Sequence, residues 1–184
     1  MSLRVLMAMI LAGTSLVGPG ALAGQEPSSL AVDDPEAYRV YAFLLSTEWP
    51  RNAARPKVLL IQQETTTWDC FGKPLETALA DRYTTWKPVL DAYRAANQAV
   101  RTLLPGQELG FPYKVATARE IGRAYSNWGG YIQVSAVGFD AAGTRAMVHL
   151  GYLCGGLCGG GKLHLLEKVN GGWREAAKLC EWRA

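Results

Sequence analysis

The chain has 184 residues, 49% hydrophobic and 19% charged, enough apolar chain to fill the core of one globular domain. Its 19 Lys and Arg are interspersed with 16 Asp and Glu, giving a net charge of +3 and no basic stripe, so nothing recommends nucleic acid as a partner. The cysteine count of 4 is even, which in an exported chain favours disulfides over free thiols.

Arg4, the apolar stretch Val5 to Val17 and the small-residue ending Ala21-Leu22-Ala23 read as an export signal with cleavage after Ala23. Gly13, Thr14 and Ser15 break the apolar run short of the roughly 18 to 20 residues that cross a bilayer, and no later segment could span one. The expected organisation is a signal peptide over residues 1–23, a flexible linker over 24–33 and a single α+β domain over 34–184. The mature protein is thus expected to be secreted or periplasmic, with no membrane span.

Asp34-Pro35 has the form of a helix start, cap followed by first-turn proline. Tyr38, Tyr41, Ala42, Leu45 and Trp49 recur at helical spacing behind it, and Pro50 ends the run. Val58-Leu59-Leu60-Ile61 predicts a strand over 57–63. Pro74 to Arg82 predicts a helix, and Lys87-Pro88 an interruption before a second helix whose buried stripe is Val89, Tyr93, Ala96, Val100 and Leu103, stopped by Pro105-Gly106. Thr117 and Glu120 have capping-box spacing, which predicts a short helix over 118–125.

From Tyr131 the grammar changes to alternation punctuated by turns: strands at 131–139, 144–154, 162–169 and 173–182, separated by Asp140 to Gly143, the glycine run and Asn170-Gly171. Helices first and strands after predict an α+β fold, N-terminal helices packed on one face of a C-terminal antiparallel meander of about four strands.

The last third of the chain resembles a family of exported bacterial proteins of uncharacterised function. The resemblance is carried by Ser135-Ala136-Val137-Gly138-Phe139, Tyr152, Cys154-Gly155-Gly156-Leu157-Cys158-Gly159, Gly161, Leu166, Lys168, Gly171 and Trp173. It implies the secreted class and the fold, and it brings no catalytic residue.

Cys154 and Cys158 form the sharpest local feature. A redox pair usually stands two residues apart at a helix N-terminus, whereas this one is three apart before a predicted strand, so a disulfide stapling a hairpin tip fits better. Cys70 and Cys180 are the remaining pair, and crossed pairings stay possible. His149 and His164 flank the cysteines, but strand alternation places His149 and Cys154 on opposite faces and oxidised cysteines cannot ligate, so no metal and no cofactor is expected. The glycines lack the Lys-Ser/Thr of a phosphate loop. Ser135, His149 and Asp140 offer the residue types of a triad without the sharp turn of a hydrolase elbow. Trp49 and Trp86 fall on helical stripes and read as core; Trp68, Trp128, Trp173 and Trp182 lie near loops or strand ends, where rings can stack on sugars or peptides.

These features together lead to a disulfide-stabilised binding module for a protein or cell-envelope ligand, with Trp128, Tyr152, His149 and His164 as the candidate binding surface. The alternatives are a thiol-disulfide exchange protein using Cys154 and Cys158, or a small envelope hydrolase. Mass mapping of the exported protein is expected to return Gly24 as its first residue; retention of residues 1–23 would remove the export signal from this reading.

Overall fold

The computed structural model describes residues 30–48, 58–70, 72–122, 130–155 and 158–184. In chain order these form β1 (Leu30–Val32), α1 (Pro35–Glu48), β2 (Leu59–Gln62), α2 (Leu75–Leu79), a 3-10 turn (Ala80–Arg82) and α3 (Tyr83–Ala96). There follow β3 (Arg101–Leu103), β4 (Tyr113–Ala116), a helical turn over 118–122, β5 (Tyr131–Val134), β6 (Gly138–Phe139), β7 (Arg145–Gly155), β8 (Cys158–Val169) and β9 (Gly172–Arg183).

The fold is α+β, with helices and strands interleaved. The four-strand meander is present as β5-β7-β8-β9, all antiparallel, with β6 pairing beside β5 on β7. It is one part of a larger mixed sheet in the order β4-β2-β5-β7-β8-β9, because β2 pairs in parallel with both β4 and β5. The expectation of a purely antiparallel sheet fails here: β2 is a continuous apolar run, Leu59-Leu60-Ile61, buried at all three positions, the signature of a strand inside a sheet covered on two sides.

Both faces are covered, so helices on one face alone is also corrected. Ala146, Val148 and Leu150 of β7 and Leu166 of β8 join Tyr38, Tyr41, Leu44 and Leu45 of α1 in one cluster. Met147 of β7 and Leu163 and Leu165 of β8 join Leu79, Trp86, Val89, Leu90 and Tyr93 in another. Since side chains alternate along a strand, the two clusters lie on opposite faces, and the layers are α1, sheet, then α2 with α3.

The local signals at the helix ends are realised. Asp34 Oδ1 accepts from the backbone N–H of Glu36 (2.8 Å), and Thr117 and Glu120 bond reciprocally as a capping box. Trp49, Pro50 and residues 123–125 lie outside the described residues. Pro88 does not interrupt α3. It forfeits one bond, to the Thr84 carbonyl, at a cost of about 3 kcal/mol, whereas burying Trp86, Val89, Leu90 and Tyr93 returns roughly 1.5–3 kcal/mol each.

The helix instead stops at Asn97, earlier than the apolar spacing suggested. The Asn97 amide donates to the carbonyls of Tyr93 (2.8 Å) and Ala136 (3.0 Å), and its oxygen accepts from Ala136 N–H (2.9 Å). Val100 is therefore exposed, and Leu103 belongs to β3. Leu30 to Val32, inside the stretch expected as linker, pair in parallel with β3, and the Tyr38 hydroxyl ties the two strands by donating to Val32 O and accepting from Leu104 N–H.

Both disulfides join the expected partners, Cys70 with Cys180 and Cys154 with Cys158. The first closes 110 residues and fastens β9 to the segment before α2, a constraint on the unfolded chain of about 4–5 kcal/mol in the chain-entropy model. Cys180 itself takes φ 53°, a left-handed conformation that turns β9 locally.

At Gly138 a Cβ would overlap the backbone N and Cα of Tyr93, so α3 rests directly on β6. Gly138→Ala is expected to cost about 1–3 kcal/mol in urea unfolding, whereas Gly122→Ala, where a Cβ meets open space in a helical turn, leaves stability equal or higher. Equal effects at the two glycines would contradict this packing.

Candidate functional site

Gly159, Gly160 and Gly161 are not turn residues. β7 runs to Gly155 and β8 begins at Cys158, so these glycines sit within β8, paired with Leu153, Tyr152 and Gly151 on one side and, at Gly160 and Gly161, with Arg183 and Trp182 on the other. Glycine inside a strand marks a close approach, and here the two faces use it differently.

On the α3 face, the Gly161 Cβ position lies 2.9 Å from His149 Nε2 and 2.6 Å from Trp182 Nε1, and that of its cross-strand partner Gly151 lies 3.1 Å from His149 Cε1. The glycines thus form a slot in which the imidazole lies against the sheet, with the Trp68 ring stacked on it at 4.4 Å and 14°. His149 is only 2% exposed, and neither ring nitrogen meets a hydrogen-bond partner among the described residues. Burial, with a smaller contribution from His164, pushes its pKa down to about 3, so the ring is neutral.

On the α1 face, half-buried charges form a chain. Lys162 Nζ meets Glu48 Oε2 at 2.7 Å, Glu48 Oε1 meets Lys178 Nζ at 3.0 Å, and Lys178 Nζ meets Glu175 Oε2 at 3.2 Å. The chain ends where His164 donates from Nδ1 to Glu175 Oε1 (2.6 Å). Burial of Glu48 works to raise its pKa, but Lys162 and Lys178 outweigh it and hold the carboxyl below its ordinary value. Burial likewise pulls His164 down against the opposing pull of Glu175.

Glu48 closes the C-terminal turn of α1, an unfavourable place for an anion, and the two lysines offset that. Glu36 fastens the other end of α1, accepting from Lys168 Nζ and the Trp173 indole at 2.8 Å each. Ligand atoms of Glu48, His164 and Glu175 come within 4.8 Å of one another. Lys162 and Lys178 already neutralise those carboxylates, so a cation would have to displace an ammonium group.

Beyond the end of α1 the same face opens into a groove of about 410 Å³, floored by Gly159 to Gly161. Leu150, Tyr152 and the Cys154–Cys158 disulfide form its apolar wall, and Glu48 with Lys162 and Glu181 with Arg183 form its polar rim. Its volume lies within the roughly 300–1,000 Å³ of small-ligand sites. No described helix is long and apolar enough to cross a membrane.

The residues singled out from sequence separate accordingly. Tyr152 lines the groove, and Trp128 lies outside the described residues. His149 and His164 are not on an exposed surface: they sit buried on opposite faces, because a sheet covered on both sides leaves neither face to solvent. Ser135, His149 and Asp140 do not assemble. Ser135 Oγ donates to Ala136 O, accepts from His149 N–H and also pairs with the Tyr93 hydroxyl, while Asp140 caps the turn at Thr144 and Arg145.

Glu48, Lys162, Glu181 and Arg183 were not singled out. The three glycines within an apolar alternation were the one signal that a site could open there. No protein-family profile, no curated protein and no solved structure matches this chain.

The buried imidazoles set a pH dependence. A histidine whose folded pKa lies below its unfolded value of about 6.5 binds protons only on unfolding, so its contribution is fully present at pH 7 and is lost as pH falls below about 6.5. For His149 this loss amounts to about 2 kcal/mol between pH 7 and 5. His149→Gln, which does not titrate, is expected to flatten urea stability against pH by that amount; an unchanged slope would show the ring to be accessible to protons.

Proposed function

We propose that this chain is an exported, disulfide-stapled binding module, and that it seats a cell-envelope ligand in the groove beyond the end of α1. One observation supports the reading. The groove combines a glycine floor, an apolar wall and a rim of paired charges, while Ser135, His149 and Asp140, the side chains considered for catalysis, are engaged in holding the fold.

The floor is held rigid from three directions. β7 and β9 pair with it on either side, the Cys154–Cys158 bridge joins the strand ends, and α1 is fastened to β8 and β9 through Glu48. Preformed geometry lowers the ordering cost of binding, which suits recognition. The same bridge lies between two strands and not at a helix N-terminus, so neither cysteine has the helix dipole that activates an exchange thiol.

Gly160 faces the groove, and its backbone is not in the left-handed region. Its Cβ position stands 3.2 Å from Trp182 O and 3.8 Å from Arg183 Cγ, so a larger residue projects into the groove after a small adjustment. In a sedimentation assay with insoluble envelope material, the mature protein is expected to co-sediment and Gly160→Leu to stay in the supernatant while unfolding at a similar urea concentration. Binding that is absent, or equal for both proteins, would overturn the reading.

A further inference from the structure

Resting on the reading of the groove as the binding site, we propose that its ligand is a neutral saccharide segment: one sugar ring lies with its C–H face on Tyr152, Leu150 and the disulfide, and its hydroxyls bridge the two ion pairs of the rim.

Charge comes first. Each charged side chain lining the groove has an opposite partner there: Glu48 with Lys162 at 2.7 Å and Glu181 with Arg183 at 3.0 Å. A phosphate or a metal cation would have to break one of these pairs, losing on one side what it gained on the other. A neutral polyol breaks neither. A hydroxyl both donates and accepts, so neighbouring hydroxyls can donate to the carboxylate and accept from the ammonium or guanidinium of the same pair.

The floor points the same way. An extended peptide recognised by strand addition needs unpaired backbone groups along a sheet edge. Here Gly160 and Gly161 are paired on both sides, to Tyr152 and Gly151 and to Arg183 and Trp182, which leaves no open ladder along the floor of the groove. Recognition falls instead to side chains around a smooth floor. The absence of a side chain at Gly160, the glycine whose Cβ position faces the groove, lets a flat ring descend toward the level of the backbone.

The wall supplies the other half of sugar recognition. Tyr152 is half-buried against the α1-side core, and a Cβ at Gly130 would meet its Cζ and hydroxyl oxygen at 2.7 Å, so the ring is held in one place. A fixed aromatic body next to hydrogen-bonding groups presents an apolar face and a polar edge together. Lys162 and Glu48 are each 16% exposed, so their ion pair borders the groove without swinging freely.

The experiment is a titration of the isotope-labelled mature protein, followed by amide chemical shifts, with four probes: the β-1,4-linked tetramer of N-acetylglucosamine, cellotetraose, maltotetraose and, as the peptide control, triglycine. At least one saccharide is expected to move the amides of Tyr152, Gly159 to Lys162 and Glu181 to Arg183, with triglycine moving none. Glu181→Gln and Arg183→Gln, both at exposed positions, are each expected to weaken that saccharide about tenfold, the worth of one charge-assisted hydrogen bond. Saccharide shifts that are absent or lie elsewhere, or unchanged affinity in both variants, would overturn the proposal, as would triglycine in the groove. Envelope co-sedimentation abolished by Gly160→Leu would still uphold the groove as the binding site, so the two readings fail separately.

Discussion

Ala146, Val148 and Leu150 point to α1 while Met147, between the first two, points to α3, and this two-sided burial of β7 and β8 governs the rest of the molecule. A strand with one wet face can place polar groups there at no cost. A strand covered on both faces must make each inward polar residue meet a partner or accept the penalty. His164 meets one in Glu175, and the chain of charges that follows carries the connection out to solvent through Lys178 and Glu48. His149 accepts the penalty at its ring nitrogens and is compensated by stacking on Trp68 and by glycines that admit the ring.

Much of this was legible in the sequence. The export-type start, the Asp34 cap, the Thr117 capping box, the β2 run and the four alternating strands are local signals, and local physics realises those within the described residues. The errors have one origin, that long-range partners are not written beside the residues they pair with. Pro88 argues for a break when read alone and is overridden by four buried neighbours; Val100 and Leu103 continue a helical spacing until Asn97 is claimed by Ala136, 39 positions away.

The candidate site was legible only as a composition. Glycines and cysteines at 154–161 marked the place, and the disulfide reading of Cys154 and Cys158 held. The groove, however, depends on Glu48 reaching Lys162 across 114 positions, and on Glu181 and Arg183 lying over Gly160, which only the register of β8 on β9 determines. Register in turn shifts twice along that pair, between Gly161 and Leu163 and between Leu165 and Leu166, and strand alternation alone does not foresee such shifts.

β9 has a single strand neighbour among the described residues, β8, and runs for 12 residues. An edge of that length would ordinarily invite another chain to add on and propagate. Arg174, Lys178, Glu181 and Arg183 are exposed charges spread along it, and the left-handed turn at Cys180, anchored by its bridge to Cys70, denies an incoming strand a straight run of backbone. The long disulfide therefore does more than fasten the last strand: it fixes a bend in a 12-residue edge strand, which makes that edge a poorer template for strand addition.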